Sequence, residues 1–168
     1  NWRPISLLNV DVKIVSKTLA LRLGKVLPHL IIKLQSCSVK GRTITDNKIT
    51  IQNLIELCHE HKKNMFVVSL DQLKAFDRLD HQWMLKVLHH YNFGPSFIKW
   101  IRILYTDIKS KGIVNGYLTK SISINRGVRQ GCPLSPLLYI IAMNPIANVI
   151  INDNLIVGIN SFPVPNSI

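Results

Sequence analysis

Ser69-Leu70-Asp71-Gln72-Leu73-Lys74-Ala75-Phe76-Asp77 is the stretch on which the reading of this chain turns. It continues from Met65-Phe66-Val67-Val68, a run rich in branched and aromatic side chains. Residues 65–70 therefore predict a short buried strand that ends at Asp71. A carboxylate fixed at the C-terminal end of a strand is well placed to hold a divalent metal against phosphate oxygens. The same aspartate can cap the following turn, and the segment alone leaves both readings open.

On the C-terminal side, Asp80 is the expected cap of a helix with Trp83, Met84, Val87, Leu88 and Tyr91 on one face. Gly94-Pro95 opens another, burying Phe97, Ile98, Ile101, Leu104 and Tyr105. Asn115-Gly116 between β-prone runs predicts a hairpin. Ser135-Pro136 reads as an N-cap followed by proline at the first helical position, with a long apolar helix after it, bent at Pro145. Residues 155–159 are one more candidate strand. On the N-terminal side, Asp11 is the expected cap of a helix carrying Val12, Val15, Leu19, Leu23, Val26 and Leu27, ended or bent by Pro28. Thr45 or Asp46 caps a second, with Ile51, Leu54, Ile55 and Cys58 as its buried stripe. Helices and strands without regular alternation argue for an α+β fold.

Twenty-one Lys and Arg stand against nine Asp and Glu in 168 residues, a net charge of +12. That balance points to an acidic partner, most commonly nucleic acid. A hydrophobic share of 47% with 18% charged residues supports a core and argues against disorder. Three separated cysteines fit a reducing compartment better than a disulfide framework. The sequence shows no apolar run near the roughly 20 residues of a membrane span, and Asn1-Trp2-Arg3-Pro4 lacks the pattern of a signal peptide. His59 and His61 do not have the spacing of a zinc hydrolase helix and read as a solvated helix end. Trp2, Trp83 and Trp100 read as core residues, and Cys132 as a small packed residue.

A second informative segment is Asn125-Arg126-Gly127-Val128-Arg129-Gln130-Gly131-Cys132-Pro133-Leu134-Ser135-Pro136. Its glycines permit close backbone approach to a base or phosphate; alone, it is equally a helix-entry turn with solvated arginines. The segments Asn1-Trp2-Arg3-Pro4-Ile5-Ser6-Leu7-Leu8-Asn9 and Gly41-Arg42-Thr43-Ile44-Thr45-Asp46-Asn47 are each ordinary surface by themselves.

In this order and spacing the four segments closely resemble the reverse transcriptase domain of non-LTR (LINE-type) retrotransposons, over nearly the whole chain. The resemblance implies a partial right-hand polymerase fold: residues 1–64 as partial fingers, residues 65–168 as partial palm, and no thumb. It implies RNA-directed DNA synthesis by two-metal nucleotidyl transfer, with two Mg²⁺ ions, or Mn²⁺ in their place. Asp71 matches the catalytic, metal-binding aspartate. Phe76 matches the aromatic gate that excludes a ribose 2′-hydroxyl. Gln130 and Gly131 match residues lining the nucleotide and template pocket. Arg3 matches the arginine that pairs with the triphosphate, and Lys13 is a further nucleotide-binding candidate. Arg42 and Arg129 are weaker candidates for template, primer or triphosphate. The implied partners are an RNA template, a DNA primer or target and dNTP, with no membrane. The implied location is intracellular, in cytoplasm and nucleus.

The chain departs from the family in places. Gln35-Ser36-Cys37-Ser38 stands where relatives carry an aromatic, Leu73 where they usually have Glu, and Asn144 where an acidic residue often precedes the proline. The family's Y/F-A-D-D motif has no match after Gly158. One carboxylate cannot hold two divalent cations well, so this chain by itself is expected to lack polymerase activity. A nucleic-acid-binding remnant of a retroelement, or a relic that folds poorly, are the competing expectations.

Overall fold

The computed structural model describes residues 5–156. Six helices and two small antiparallel ribbons form the described part: α1 (Val10–Leu30), α2 (Ile44–Glu60), α3 (Ala75–Arg78), α4 (His81–His90), α5 (Pro95–Tyr105), β1 (Lys109–Ser110), β2 (Ile113–Val114), β3 (Tyr117–Leu118), β4 (Ile122–Ser123) and α6 (Ser135–Asn152). The mixture of helices with small sheets agrees with the expected class.

The core lies along α6, which packs against α4 and α1, while α4 also packs against α5. Leu138, Ile140, Ile141 and Ala142 of α6 are buried, and they meet Met84, Val87 and Leu88 of α4 and Leu19, Leu23 and Leu27 of α1 in one cluster. In α1 and α4 these side chains lie three to four residues apart, the spacing of one helical face, whereas consecutive residues of α6 are buried on several sides. Burying each of the larger ones is worth about 1.5–3 kcal/mol. The helix α6 is long and apolar enough to cross a membrane by length and composition, which the sequence reading did not expect. Its buried residues here serve the core.

The helix ends are close to expectation with shifts of one or two residues. Helix α1 begins after Asn9, and Asp11 sits in its first turn instead of capping it. Pro28 does not end α1, which runs on to Leu30. Helix α2 begins after Thr43, in a capping box with Asp46. Asp80 does cap α4, its carboxylate accepting the Trp83 amide at 2.9 Å. Pro95 starts α5. Leu134, not Ser135, is the cap residue of α6, with Pro145 inside the helix.

The hairpin forms as expected. Asn115 and Gly116 both have positive φ, the backbone of a two-residue turn that matches strand twist. It joins β2 to β3, and β1 pairs with β4 behind them.

Three expectations fail. Residues 65–70 form no strand: Phe66 is 92% and Leu70 81% exposed, and among the described residues no segment pairs with them. An extended segment without a neighbour cannot satisfy its backbone by strand pairing or bury its side chains. In the apolar stripe of α2, Ile51 and Ile55 are exposed and Leu54 is half-buried, leaving Cys58 as its buried residue, because α2 makes little contact with other elements. Trp83 and Trp100 are 41% and 47% exposed instead of core, although the Trp83 indole donates to the Ala142 carbonyl at 2.9 Å. Leu155 and Ile156 lie in a turn closed by Asp153, and the remainder of that candidate strand is outside the described residues.

Candidate active site

The turn after Asp71 and the loop before α6 are joined by their backbones. The Val128 amide donates to the Phe76 carbonyl and the Gly127 amide to the Leu79 carbonyl, both at 2.7 Å. The His81 ring lies with Nε2 2.7 Å from the Gly127 carbonyl oxygen. Asp80 and Arg126 pair as an isolated bridge, with their side chains 3.6 Å apart and largely exposed. The Asp80 carboxyl is held below its ordinary range, first by the hydrogen bond from the Trp83 amide and then by the Gln82 amide, Arg126 and His81, against an opposing effect of burial.

Gly127 is the residue that lets these segments meet. Its φ is +90°, and a Cβ there would lie 2.8 Å from the Phe76 carbonyl oxygen and 2.9 Å from the Asp77 Cα. Any side chain would collide with backbone on the facing turn, in a conformation that L residues rarely adopt.

On the other side of the turn stands α6. The Phe76 and Tyr139 rings are tilted at 43° with centroids 5.2 Å apart. The Tyr139 hydroxyl donates to the side-chain carbonyl of Gln72. Burial and, secondarily, the negative charge of Asp71 hold the Tyr139 hydroxyl above its ordinary pKa. Asp71, Gln72, Phe76 and Tyr139 thus share one locality. Tyr139 was not singled out from sequence; its position one turn into the helix after Ser135-Pro136 was the available signal.

The loop residues Gln130 and Gly131 are bound to the N-terminal segment. The Ser6 amide donates to the Gln130 carbonyl at 2.9 Å, and a Cβ on Gly131 would stand 3.3 Å from the Ser6 carbonyl. Segments more than 120 residues apart in sequence therefore meet here. Arg3 lies outside the described residues. Lys13 is exposed on the first turn of α1.

Arg42 and Arg129 are spent on the protein itself. The Arg42 guanidinium donates to the carbonyls of Pro28, Ile31, Ile32 and Gln35, where the C-terminal end of α1 has unpaired oxygens. Arg129 donates to the Leu104 carbonyl at 2.8 Å and lies over the Tyr105 ring at 5.4 Å. Sequence reasoning offered both as ligands of template or triphosphate; the structure places them as braces.

A divalent-metal site is not assembled from the described residues. Among them no three His, Cys, Asp or Glu side chains cluster, and Asp71 is an exposed carboxylate. One exposed carboxylate does not match the oxygen-rich ligand set that Mg²⁺ or a second cation requires. A cavity of about 590 Å³ is lined by Asp80, His81, Arg102 and Lys109 among others, and includes neither Asp71 nor Phe76.

In their order along the chain these segments are those of a reverse transcriptase domain, and their backbones meet here. Comparison with known proteins agrees. The chain matches the family described as Reverse transcriptase (RNA-dependent DNA polymerase) over residues 1–160, and it belongs to that family. It is 45% identical over 145 residues to the Transposon TX1 uncharacterized 149 kDa protein of Xenopus laevis, covering 86% of this chain and 11% of that protein. It is 30% identical over 140 residues to a Retrovirus-related Pol polyprotein from type-1 retrotransposable element R2 of Popillia japonica, covering 83% and 19%. It is 27% identical over 147 residues to the Pol polyprotein from type-2 retrotransposable element R2DM of Drosophila melanogaster, covering 86% and 13%. The chain thus spans between a tenth and a fifth of the length of these relatives. They support a LINE-type reverse transcriptase domain.

Proposed function

We propose that this chain supplies the nucleotide-selecting part of an RNA-directed DNA polymerase that copies retrotransposon RNA into DNA. The observation that carries the reading is the 2.7 Å bond from the Val128 amide to the Phe76 carbonyl. It sets the aromatic gate at a fixed place beside the loop of Gln130 and Gly131, as selection of a sugar requires. In this reading the architecture is a partial right hand. Phe76 excludes a ribose 2′-hydroxyl, while Gln130 and Gly131 line the nucleotide. Arg3 and Lys13 meet the triphosphate. The partners are an RNA template, a DNA primer or target and dNTP, in cytoplasm and nucleus.

Asp71 is the proposed metal-binding aspartate, and Mg²⁺ or Mn²⁺ would supply the nucleotidyl-transfer chemistry. The described residues do not hold two such ions, so the reading assigns binding and orientation to this chain and no completed transfer by it alone. The net charge of +12 supports, as a second reading, binding of nucleic acid without catalysis.

The test uses purified chain with a DNA primer annealed to an RNA template in Mg²⁺. The proposal expects duplex binding that weakens steeply with salt and no primer extension. Extension lost in Asp71→Ala would overturn the assignment of inactivity. Failure to bind the primer-template at low salt would overturn the polymerase reading.

A further inference from the structure

We propose that His81 is a positioning residue that locks the turn carrying Phe76 to the loop carrying Gln130 and Gly131. The lock stands on geometry; its consequence for nucleotide choice rests on the polymerase reading above.

His81 is buried, as the first residue of α4. The Asp80 cap fixes the helix start, so the imidazole is held by a short, determined stretch of backbone. Its Nε2 faces the Gly127 carbonyl oxygen at 2.7 Å. A carbonyl oxygen only accepts, so Nε2 carries the proton. The Tyr105 ring packs edge-on against the imidazole, with centroids 5.2 Å apart at 60°. The Tyr105 hydroxyl in turn meets the Ser135 hydroxyl at 3.4 Å, and Tyr105 carries Arg129 over its ring. His81 therefore holds the start of the loop while Tyr105, against which it packs, holds its end at α6.

Both polar backbone atoms of Gly127 are taken by this arrangement, the amide by Leu79 and the carbonyl by His81. Three hydrogen bonds resist sliding of loop on turn, Gly127 to Leu79, Val128 to Phe76, and His81 to Gly127, beside the exposed Asp80–Arg126 ion pair. Of the three hydrogen bonds only the last uses a side chain, and unlike the solvent-screened ion pair it is buried, so His81 is the residue to change without altering backbone. A steric gate discriminates over small displacements. Loosening the loop against Phe76 is therefore expected to relax sugar choice before it weakens duplex binding.

The test compares wild type with His81→Phe, which keeps a ring against Tyr105 but has no donor, and His81→Gln, whose amide can donate. His81→Ala is added for size. Two readouts need no nucleotide. Nitrogen NMR of the wild-type ring should show the proton on Nε2. Amide hydrogen exchange at Gly127 and Val128 should rise about fivefold to tenfold in His81→Phe, return toward wild type in His81→Gln, and stay unchanged at Met84 within α4.

The third readout is the affinity ratio of dNTP to NTP on a primer-template. It should fall several-fold in His81→Phe at unchanged duplex affinity, and recover in His81→Gln. Unchanged exchange at Gly127 and Val128 in His81→Phe, or an Nε2 without its proton, would overturn the lock. Faster exchange with an unchanged dNTP preference would overturn its role in selection. A wild-type chain with no dNTP preference would refute the polymerase reading and that role, and the exchange data would still decide the lock.

Discussion

Gly127 and Phe76 are closer than any other residue type at position 127 would allow: a Cβ would stand 2.8 Å from the Phe76 carbonyl oxygen. The contact joins the two segments that carry the recognisable chemistry. Gly127→Ala is expected to cost about 2–4 kcal/mol, combining the positive φ with the collision. Urea unfolding measures it. Gly24→Ala is the control. Gly24 lies inside α1 with nothing within 4 Å of its added methyl, so that change should stabilise by about 0.5–1 kcal/mol.

Asn144 ties three elements together from a buried position. Its carbonyl accepts the Ile32 amide at 3.1 Å, and its amide donates to the Leu30 carbonyl and the Tyr91 hydroxyl. Asn144→Leu fills similar space and leaves those groups unpaired, at a cost of about 2–3 kcal/mol. Tyr91→Phe removes one bond and should cost about 1 kcal/mol. Chemical denaturation of both variants checks the order.

Arg42 separates a structural role from a ligand role. Its planar fork spans four carbonyls at the end of α1, which a lysine cannot reproduce. Arg42→Lys should lose about 1–2 kcal/mol of stability while leaving primer-template affinity within about twofold. A large loss of affinity at unchanged stability would return Arg42 to the nucleic-acid contacts.

The neighbourhood of Asp71 and Tyr139 is visible to titration. Burial, then the Asp71 carboxylate, raises the Tyr139 hydroxyl pKa. A negative charge nearby opposes formation of the tyrosinate. Asp71→Asn removes that charge, so Tyr139 should titrate at lower pH than in wild type yet stay above an ordinary tyrosine, because burial remains. NMR of the Tyr139 ring across alkaline pH reads this directly. An unmoved titration would separate the two residues.

Helix capping and turn chemistry made much of this fold legible in the sequence. Asp80, Gly94-Pro95 and Asn115-Gly116 each act through bonds a few residues away, so their signals are local. Residues 65–70 failed because burial of a strand depends on a neighbour that the stretch itself does not encode. The α2 stripe failed likewise: its periodicity holds, but little packs on it. At the candidate site, Phe76, Gln130 and Gly131 were singled out through motif wording. Their union through Gly127, His81 and Tyr139 was hidden, because it is made by backbone atoms and by residues far apart in sequence. The bonds of Arg42 and Arg129 to backbone carbonyls were hidden for the same reason, since carbonyl acceptors leave no mark on residue identity.

In the proposed reading Phe76, fixed beside the loop of residues 127–131, chooses the sugar. The most direct measurement is the affinity of dNTP against NTP for the chain on a primer-template, with and without Phe76→Ala. The account predicts a preference for dNTP of about tenfold or more, the order expected when one added hydroxyl meets a filled space, and its collapse toward unity in Phe76→Ala. Equal affinity for both sugars in wild type, or a preference untouched by Phe76→Ala, would contradict it.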